Sequence, residues 1–369
     1  MNRTIRGRVV TREGIIERGA VRVEDGRIAE VADIDDAEAT AAWILPGFVD
    51  LHVHGGGGHT FTTGDADDAR AAAAFHGRHG TTTMLASLVT APYELMHAAT
   101  IAFAPLIADG TLAGIHYEGP YLSPARCGAQ NPAYLRDPDL DELATLLDLG
   151  GVRVVTIAPE RPHALAAIRM LVDRGVVAAI GHTDATYQQT LDALAAGASL
   201  GTHVCNAMRP VHHREPGPII ALLDDPNAVC EQVADGVHLH EGMLRHVVGA
   251  AGADRVALVT DAITAAGMPD GDYELGGQQV DVRAGVARLT QDGSIAGSTL
   301  TMDAALRQAI HSGVDIVRAA AMAATTPANV LGLSTEVGRV AAGLRADLVL
   351  LDEELRVTSV LRAGRPHPS

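Results

Sequence analysis

Two histidines at a spacing of two, His52 and His54, close the run Pro46-Gly-Phe-Val-Asp-Leu-His52-Val-His54. Residues two apart on a strand project from the same side. Both imidazoles therefore point one way, the spacing needed to chelate a single divalent ion. Alone, His-x-His is a weak signal. Four further groups of ligand type strengthen it, each at the end of a later apolar run: Glu118, His182, His203 and Asp261. Each has a plainer reading. Glu118 can cap a turn at Gly119-Pro120, His182 can be a satisfied core histidine, His203 can pack in a loop, and Asp261 can be a helix N-cap. All of them together would need several unrelated accidents, so the set predicts a metal centre.

Other clusters carry less weight. His116 precedes Glu118 by two and points the same way, which leaves two readings, support for the site or core. His76 and His79 lie on an alanine-rich helical stretch and read as solvated surface; His212 and His213 lie in a polar loop. Gly197-Ala-Ser199-Leu-Gly201 has the letters of a nucleophile elbow, and His54-Gly-Gly-Gly-Gly58 those of an oxyanion loop. An elbow needs strand, serine, helix in that order. Here the helical pattern precedes the serine and the strand follows it, which argues against a serine hydrolase.

The elements that must hold these residues alternate. Eight strand-like runs are expected over residues 44–54, 81–87, 112–118, 152–157, 176–182, 199–203, 228–234 and 256–261, with helical patterns such as 66–79 and 164–174 between them. Such β-α units fit an α/β fold of (β/α)8 TIM-barrel type, whose active site lies where the C-terminal strand ends open. A doubly wound open sheet is the rival, because alternation does not by itself close a barrel. Both chain ends read as β: a hairpin with Asp25-Gly26 at its turn, and strands over 346–351 and 356–361. The expected domains are a small β-sandwich from residues 1–45 and 336–369 and a catalytic barrel over 46–335. Residues 276–297 read as an inserted β-excursion.

The chain of 369 residues has 28 Lys+Arg, and every one is arginine. Without lysine there is no Schiff base, no pyridoxal-phosphate enzyme, no P-loop lysine and no carbamylated-lysine metal bridge. A formal charge of −17 with no basic stripe excludes nucleic acid as the expected partner. A small anion remains compatible, since local arginines can override the global field. Cys127, Cys205 and Cys230 form an odd, scattered set that reads as free thiols in a reducing compartment. No apolar run reaches the roughly 18 residues of a membrane span, and the expected location is cytoplasmic.

With these motifs in order, the chain resembles the amidohydrolase superfamily, and within it the N-acetylglucosamine-6-phosphate deacetylases. The resemblance is carried by Pro46 to His54, His116-Tyr-Glu118-Gly-Pro-Tyr-Leu, Gly181-His182-Thr-Asp, Thr202-His203-Val-Cys-Asn206-Ala207-Met208, Ala234-Asp-Gly-Val-His238, Val259-Thr-Asp261-Ala, Gly297-Ser-Thr-Leu-Thr-Met302 and Gly343-Leu-Arg-Ala-Asp347. It implies that Glu118 bridges two metals in place of carbamylated lysine, with His52 and His54 at one and His182 and His203 at the other. Occupancy by one ion or two stays open. Mixed histidine and carboxylate ligation suits Zn²⁺, and ligand type leaves Fe²⁺ and Mn²⁺ open. It further implies that Arg214 reaches the phosphate site of a neighbouring subunit in a homodimer, and that Asn206, the Ala207 backbone and His238 contact the phosphosugar. Gln130 stands where some relatives have a histidine that polarises the amide; it can donate a hydrogen bond but carries no imidazolium charge. Cys127 nearby reads as a passive loop residue.

The expected reaction is hydrolysis of the N-acetyl group of N-acetyl-D-glucosamine 6-phosphate to glucosamine 6-phosphate and acetate. Asp261 is the expected base toward water and acid toward the leaving amine. The near alternative is an amidohydrolase for N-acetylgalactosamine 6-phosphate or another N-acyl compound. The distant one is an inactive sugar-phosphate-binding scaffold, which retention of every ligand disfavours.

Overall fold

The computed structural model describes residues 2–34 and 39–367. Residues 1, 35–38, 368 and 369 of the expected terminal β-domain therefore lie outside the described residues. Eight parallel strands follow in chain order: β1 (Phe48–Asp50), β2 (Thr81–Leu88), β3 (Gly114–Glu118), β4 (Val152–Ile157), β5 (Val177–Ile180), β6 (Leu200–Gly201), β7 (Val229–Val233) and β8 (Val256–Val259). Each pairs with its chain neighbour, so their spatial order is their sequence order. That order belongs to a (β/α)8 barrel rather than a doubly wound sheet, which reverses at a switch point. β2 is buried along its whole length, as strands covered on both faces must be.

The ladder runs from β1 to β8, and the residues just beyond these strands close the seam. Asp261 N donates to His52 O at 2.8 Å and His54 N to Ala262 O at 2.8 Å. Beneath them the Asp50 carboxylate, buried between the strands, accepts from Thr260 Oγ1 at 2.6 Å and from Thr260 N at 3.3 Å. Burial pushes Asp50 up to about 7 despite these bonds from Thr260 and His52.

Helices pack outside the strands. The helix Ala66–Arg78 starts at the N-cap Asp65, whose side chain accepts from Asp67 N and Asp68 N. His76 on this helix corrects the surface reading. It is buried, and its Nε2 donates to Gly55 O at 2.9 Å. The glycine run after His54 lets the helix approach, since a Cβ on Gly56 would lie 2.6 Å from His76 Nε2. His79 is half-buried and faces Asp303 at 3.2 Å.

The two chain ends meet in a seven-stranded sheet. It joins Arg3–Val10, Ile15–Glu24, Arg27–Asp33 and Trp43–Pro46 to Leu348–Leu351, Val357–Arg362 and Arg365–Pro366, around a core including Ile5, Val21, Ile28 and Leu348. The expected first strand, 44–54, is thus divided. Trp43–Pro46 serves this terminal sheet, and after Gly47 the chain enters the barrel. A Cβ at Gly47 would sit 2.3 Å from Thr82 Oγ1 and 2.9 Å from Asp347 Cβ. Gly47→Ala is therefore expected to cost about 1–3 kcal/mol of stability as overpacking, read as a lower denaturant midpoint with an unchanged slope.

The inserted excursion is a three-stranded antiparallel sheet, Gly271–Leu275, Gln278–Arg283 and Val286–Leu289. It begins earlier than expected, because Gly271-Asp-Tyr-Glu has too little apolar alternation to read as a strand. Its core includes Val280, Leu289 and Ile263, which seats it beside Asp261. Among the described residues no helix is long and apolar enough to cross a membrane.

Candidate functional site

All six predicted ligand-type residues arrive at one end of the barrel, and all are buried. Part of their aim comes from the backbone. His182, His203, Cys205, Ala207 and Asp261 all have positive φ, between 29° and 89°. Non-glycine residues rarely adopt this region, and its concentration at strand ends is typical of functional sites. The predicted strands there are correspondingly too long, since β5, β6 and β8 stop before these turns.

Glu118 lies at the centre. Its Oε1 is 2.9 Å from His182 Nε2 and 3.0 Å from His203 Nε2. Its Oε2 is 3.2 Å from His54 Nε2 and 3.5 Å from His52 Nε2. Asp261 Oδ1 faces the latter pair at 3.2 and 3.5 Å. The imidazole nitrogens also face each other, His52 Nε2 to His54 Nε2 at 3.0 Å and His182 Nε2 to His203 Nε2 at 3.1 Å.

The opposite ring nitrogens identify what this cluster can hold. His54 Nδ1 donates to Ser87 O at 3.1 Å, and His182 Nδ1 donates to Arg126 O at 2.9 Å. His52 Nδ1 donates to Glu231 Oε2 at 3.2 Å. A neutral imidazole has one N–H, so these bonds leave each Nε2 as a lone pair. Lone pairs about 3 Å apart, ringed by two carboxylates, call for positive charge between them. Burial opposes charge on His54, yet Asp261 and Glu118 push its pKa up to about 9: positive charge is favoured at its Nε2, held there as a proton or as a cation that displaces the proton. Burial likewise opposes the ionised forms of Glu118 and Asp261, yet the facing histidines hold both carboxyls well below their usual range. The donor set fits a divalent cation: His52, His54 and Asp261 form one compact group, and His52, Glu118 and His203 another, each with ligand atoms within 4.8 Å of one another.

A cavity of about 350 Å³ opens beside the cluster, within the usual size for small-molecule sites. His54, Glu118, His182, His203 and Asp261 line it, with Gln130, Asn206, Ala207 and His238. Gln130 is buried and committed, its Nε2 donating to Glu118 Oε2 at 2.6 Å and its Oε1 accepting from Thr90 N at 2.7 Å. Asn206 Nδ2 donates to His203 O at 3.2 Å. His238 Nδ1 donates to Asp235 Oδ2 at 2.7 Å, and its Nε2 is 3.8 Å from Asp261 Oδ2. Burial opposes charge on His238, but Asp235 raises its pKa.

Arg214 is not brought to this cavity. It is exposed in the loop after β6, with its NH1 2.8 Å from His213 Nε2. The guanidinium that does line the cavity is Arg126, sharing the Asp184 carboxylate with Arg209. His116 contacts Ser87 Oγ at 3.0 Å and Thr156 Oγ1 at 2.8 Å, and its ring stacks edge-on against His52 at 4.6 Å. Both its nitrogens are spent within the barrel, so it supports the site from below. Ser199 precedes β6 directly and follows the helix Tyr187–Ala195, so no elbow forms. Cys127 and Cys205 are half-buried, Cys230 is buried, and all three are free thiols.

Sequence reasoning missed Glu231, Asp50 and Asp235. The available sign for Glu231 was a carboxylate inside an otherwise buried parallel strand, Val-Cys-Glu-Gln-Val. Asp50 and Asp235 stood inside motifs whose histidines drew the attention.

The sequence profile of the Amidohydrolase family matches residues 43–366. An N-acetylglucosamine-6-phosphate deacetylase from Lysinibacillus sphaericus is 37% identical, with 97% of this chain and 95% of that protein aligned. An N-acetylgalactosamine-6-phosphate deacetylase from Escherichia coli O157:H7 is 39% identical, with 97% of each aligned. The structure superposes with a TM-score of 0.96 at 44% identity, over all of both chains, on an aspartate-to-alanine mutant of N-acetyl-D-glucosamine-6-phosphate deacetylase from Mycobacterium smegmatis in complex with N-acetyl-D-glucosamine-6-phosphate.

Proposed function

The chain belongs to the amidohydrolase family, and from that premise we propose that it hydrolyses the N-acetyl group of N-acetyl-D-glucosamine 6-phosphate, releasing acetate and glucosamine 6-phosphate. The observation that carries the reading is the convergence of four Nε2 atoms and two carboxylates beside a cavity of about 350 Å³, in a chain aligned end to end with deacetylases of that substrate. His52, His54, Glu118, His182 and His203 are the proposed holders of one or two divalent ions, Zn²⁺ before Fe²⁺ or Mn²⁺. A bound ion supplies Lewis acidity toward the acyl oxygen and lowers the pKa of water from about 15.7 toward about 7.

Asp261 does the proton work. It is ionised, buried and at the cavity wall, so it can take the proton of the attacking water and return it to the departing amine. His238, steadied by Asp235, stands on the same wall and suits a sugar hydroxyl or phosphate oxygen. Asn206 and the Ala207 backbone offer polar contacts nearby. Gln130 acts through Glu118, which it holds by a hydrogen bond.

Arg214 projects from an exposed loop, which suits a role at a partner's cavity in a homodimer. Arg214→Ala is expected to raise KM for a phosphorylated substrate about 10- to 100-fold, the loss of a charge-assisted bond of about 1.5–3 kcal/mol. Free N-acetylhexosamines should show little change; equal effects on both would remove Arg214 from phosphate recognition. A cytoplasmic location and the division into a terminal β-domain (1–45 and 336–369) and a barrel (46–335) belong to the same reading.

The deciding experiment is acetate release from N-acetylglucosamine 6-phosphate, N-acetylgalactosamine 6-phosphate and the free sugars, with metal content measured on the same sample. The galacto substrate is the second reading, favoured by the 39% identical relative named for it. A preference for that substrate would replace the first reading, and a metal-loaded sample releasing no acetate from either phosphosugar would sink both.

A further inference from the structure

We propose that Glu231 is the positioning residue that makes His52 a metal ligand, and so governs whether the His52/His54 half of the site retains an ion. The proposal rests on the metal-site reading above and concerns a side chain outside the ligand set.

Glu231 lies on β7, separated from β1 only by β8 at the closing seam, and both it and His52 are fully buried. Its Oε2 accepts from His52 Nδ1 at 3.2 Å and from the His203 backbone N–H at 3.2 Å. One carboxylate oxygen thus ties the ring of one candidate ligand to the main chain of another. The bond to Nδ1 fixes the tautomer of His52, leaving Nε2 bare toward His54 Nε2, Glu118 and Asp261. The comparable bonds of His54 and His182 end on backbone carbonyls. Only His52 is held by a formal charge, which makes its ring a stronger donor as well as an oriented one.

The second carboxylate oxygen makes a purely structural role insufficient. Glu231 Oε1 is buried with no hydrogen-bond partner, and so is His203 Nδ1. A buried carboxylate with half its acceptors unused is costly. Nothing in the packing of β7 requires it, since Val, Leu or Met would fill such a place in a barrel interior. Positive charge held between His52 and His54 offsets that cost, because the Glu231 carboxylate reaches it through the imidazole. Glu231 is therefore a stabilising feature of the loaded site and a burden on the empty one.

The test is Zn²⁺ binding to wild type and Glu231→Gln, measured by titration against a competing chelator, with metal-to-protein ratios after dialysis. Gln has nearly the same shape and keeps an acceptor for His52 Nδ1, so the fold is maintained, checked by the thermal midpoint of the metal-depleted protein. Wild type should take up two ions per chain. In Glu231→Gln the first step should be near normal and the second about 10- to 100-fold weaker, while Glu231→Asp should recover part of the loss. A two-step titration unchanged by Glu231→Gln would overturn the proposal. So would a wild type that binds a single ion, or a variant whose two steps weaken alike. Acetate release by the same wild-type sample tests the function separately: loss of that activity with two-step binding intact would sink the deacetylase reading and leave Glu231 standing.

Discussion

Asp261→Asn should lower kcat for N-acetylglucosamine 6-phosphate by about 10²- to 10⁴-fold, the usual range for removing a general acid–base, while KM changes little. The amide keeps the shape of the side chain and an oxygen lone pair beside the His54 Nε2 lone pair, so bound metal should stay near the wild-type level. What it loses is a group that can take a proton. In the folded protein burial opposes charge on this carboxyl, but the facing His52 and His54 hold it below its usual range. Acetate release and metal content on one preparation decide the matter. Near-normal turnover with metal in place would take the base away from Asp261. Loss of metal along with activity would instead make it chiefly a ligand, a reading its 3.2 Å approach to His54 also permits.

The second large effect is expected at Glu118. This carboxylate faces the Nε2 atoms of all four histidines. Glu118→Gln removes the one charge that both halves share. Breaking such a buried pair costs about 3–5 kcal/mol, equivalent to roughly 10²- to 10⁴-fold in metal affinity. The metal-to-protein ratio after dialysis should collapse for every ion, in contrast to Glu231→Gln, where one ion should persist. The Gln amide must also meet the Gln130 Nε2 donor at 2.6 Å, and a donor facing a donor there would add to the loss. A variant that keeps wild-type metal content would show that the histidines alone make the site.

These two residues were legible without a structure, and the reason is local. His52, His54, Glu118, His182, His203 and Asp261 each end a short apolar run, and a parallel barrel delivers every such end to one rim. Residue type and position along a strand were enough to collect them. The family resemblance implied that Glu118 is the shared ligand, and the absence of lysine agrees with that; in the structure Glu118 occupies the central place among the histidines.

Less was legible where the partner is distant in sequence. Glu231 meets His52 across 179 residues and Asp50 meets Thr260 across 210. Nothing in Val-Cys-Glu-Gln-Val names the histidine its carboxylate will face. His76 was misjudged for the same reason: an alanine-rich helix reads as surface until the glycines at 55–58 let it close on the loop. The expected strand over 44–54 ran two elements together, because alternation continues through Gly47 while the chain changes sheets.

Composition and spacing by themselves determined the chemistry available to this protein: no lysine mechanisms, arginine for every cationic contact, and a histidine–carboxylate set ordered on barrel strands. Side-chain type is carried by each residue alone, and strand periodicity by its nearest neighbours. Only the tertiary structure decided which nitrogen of His52, His54 and His182 is free, that five non-glycine residues take positive φ at the rim, and that Arg214 lies outside the cavity that Arg126 lines. Those facts depend on hydrogen-bond partners and backbone turns set by the closing of the barrel, where residues far apart in the chain come within about 3 Å.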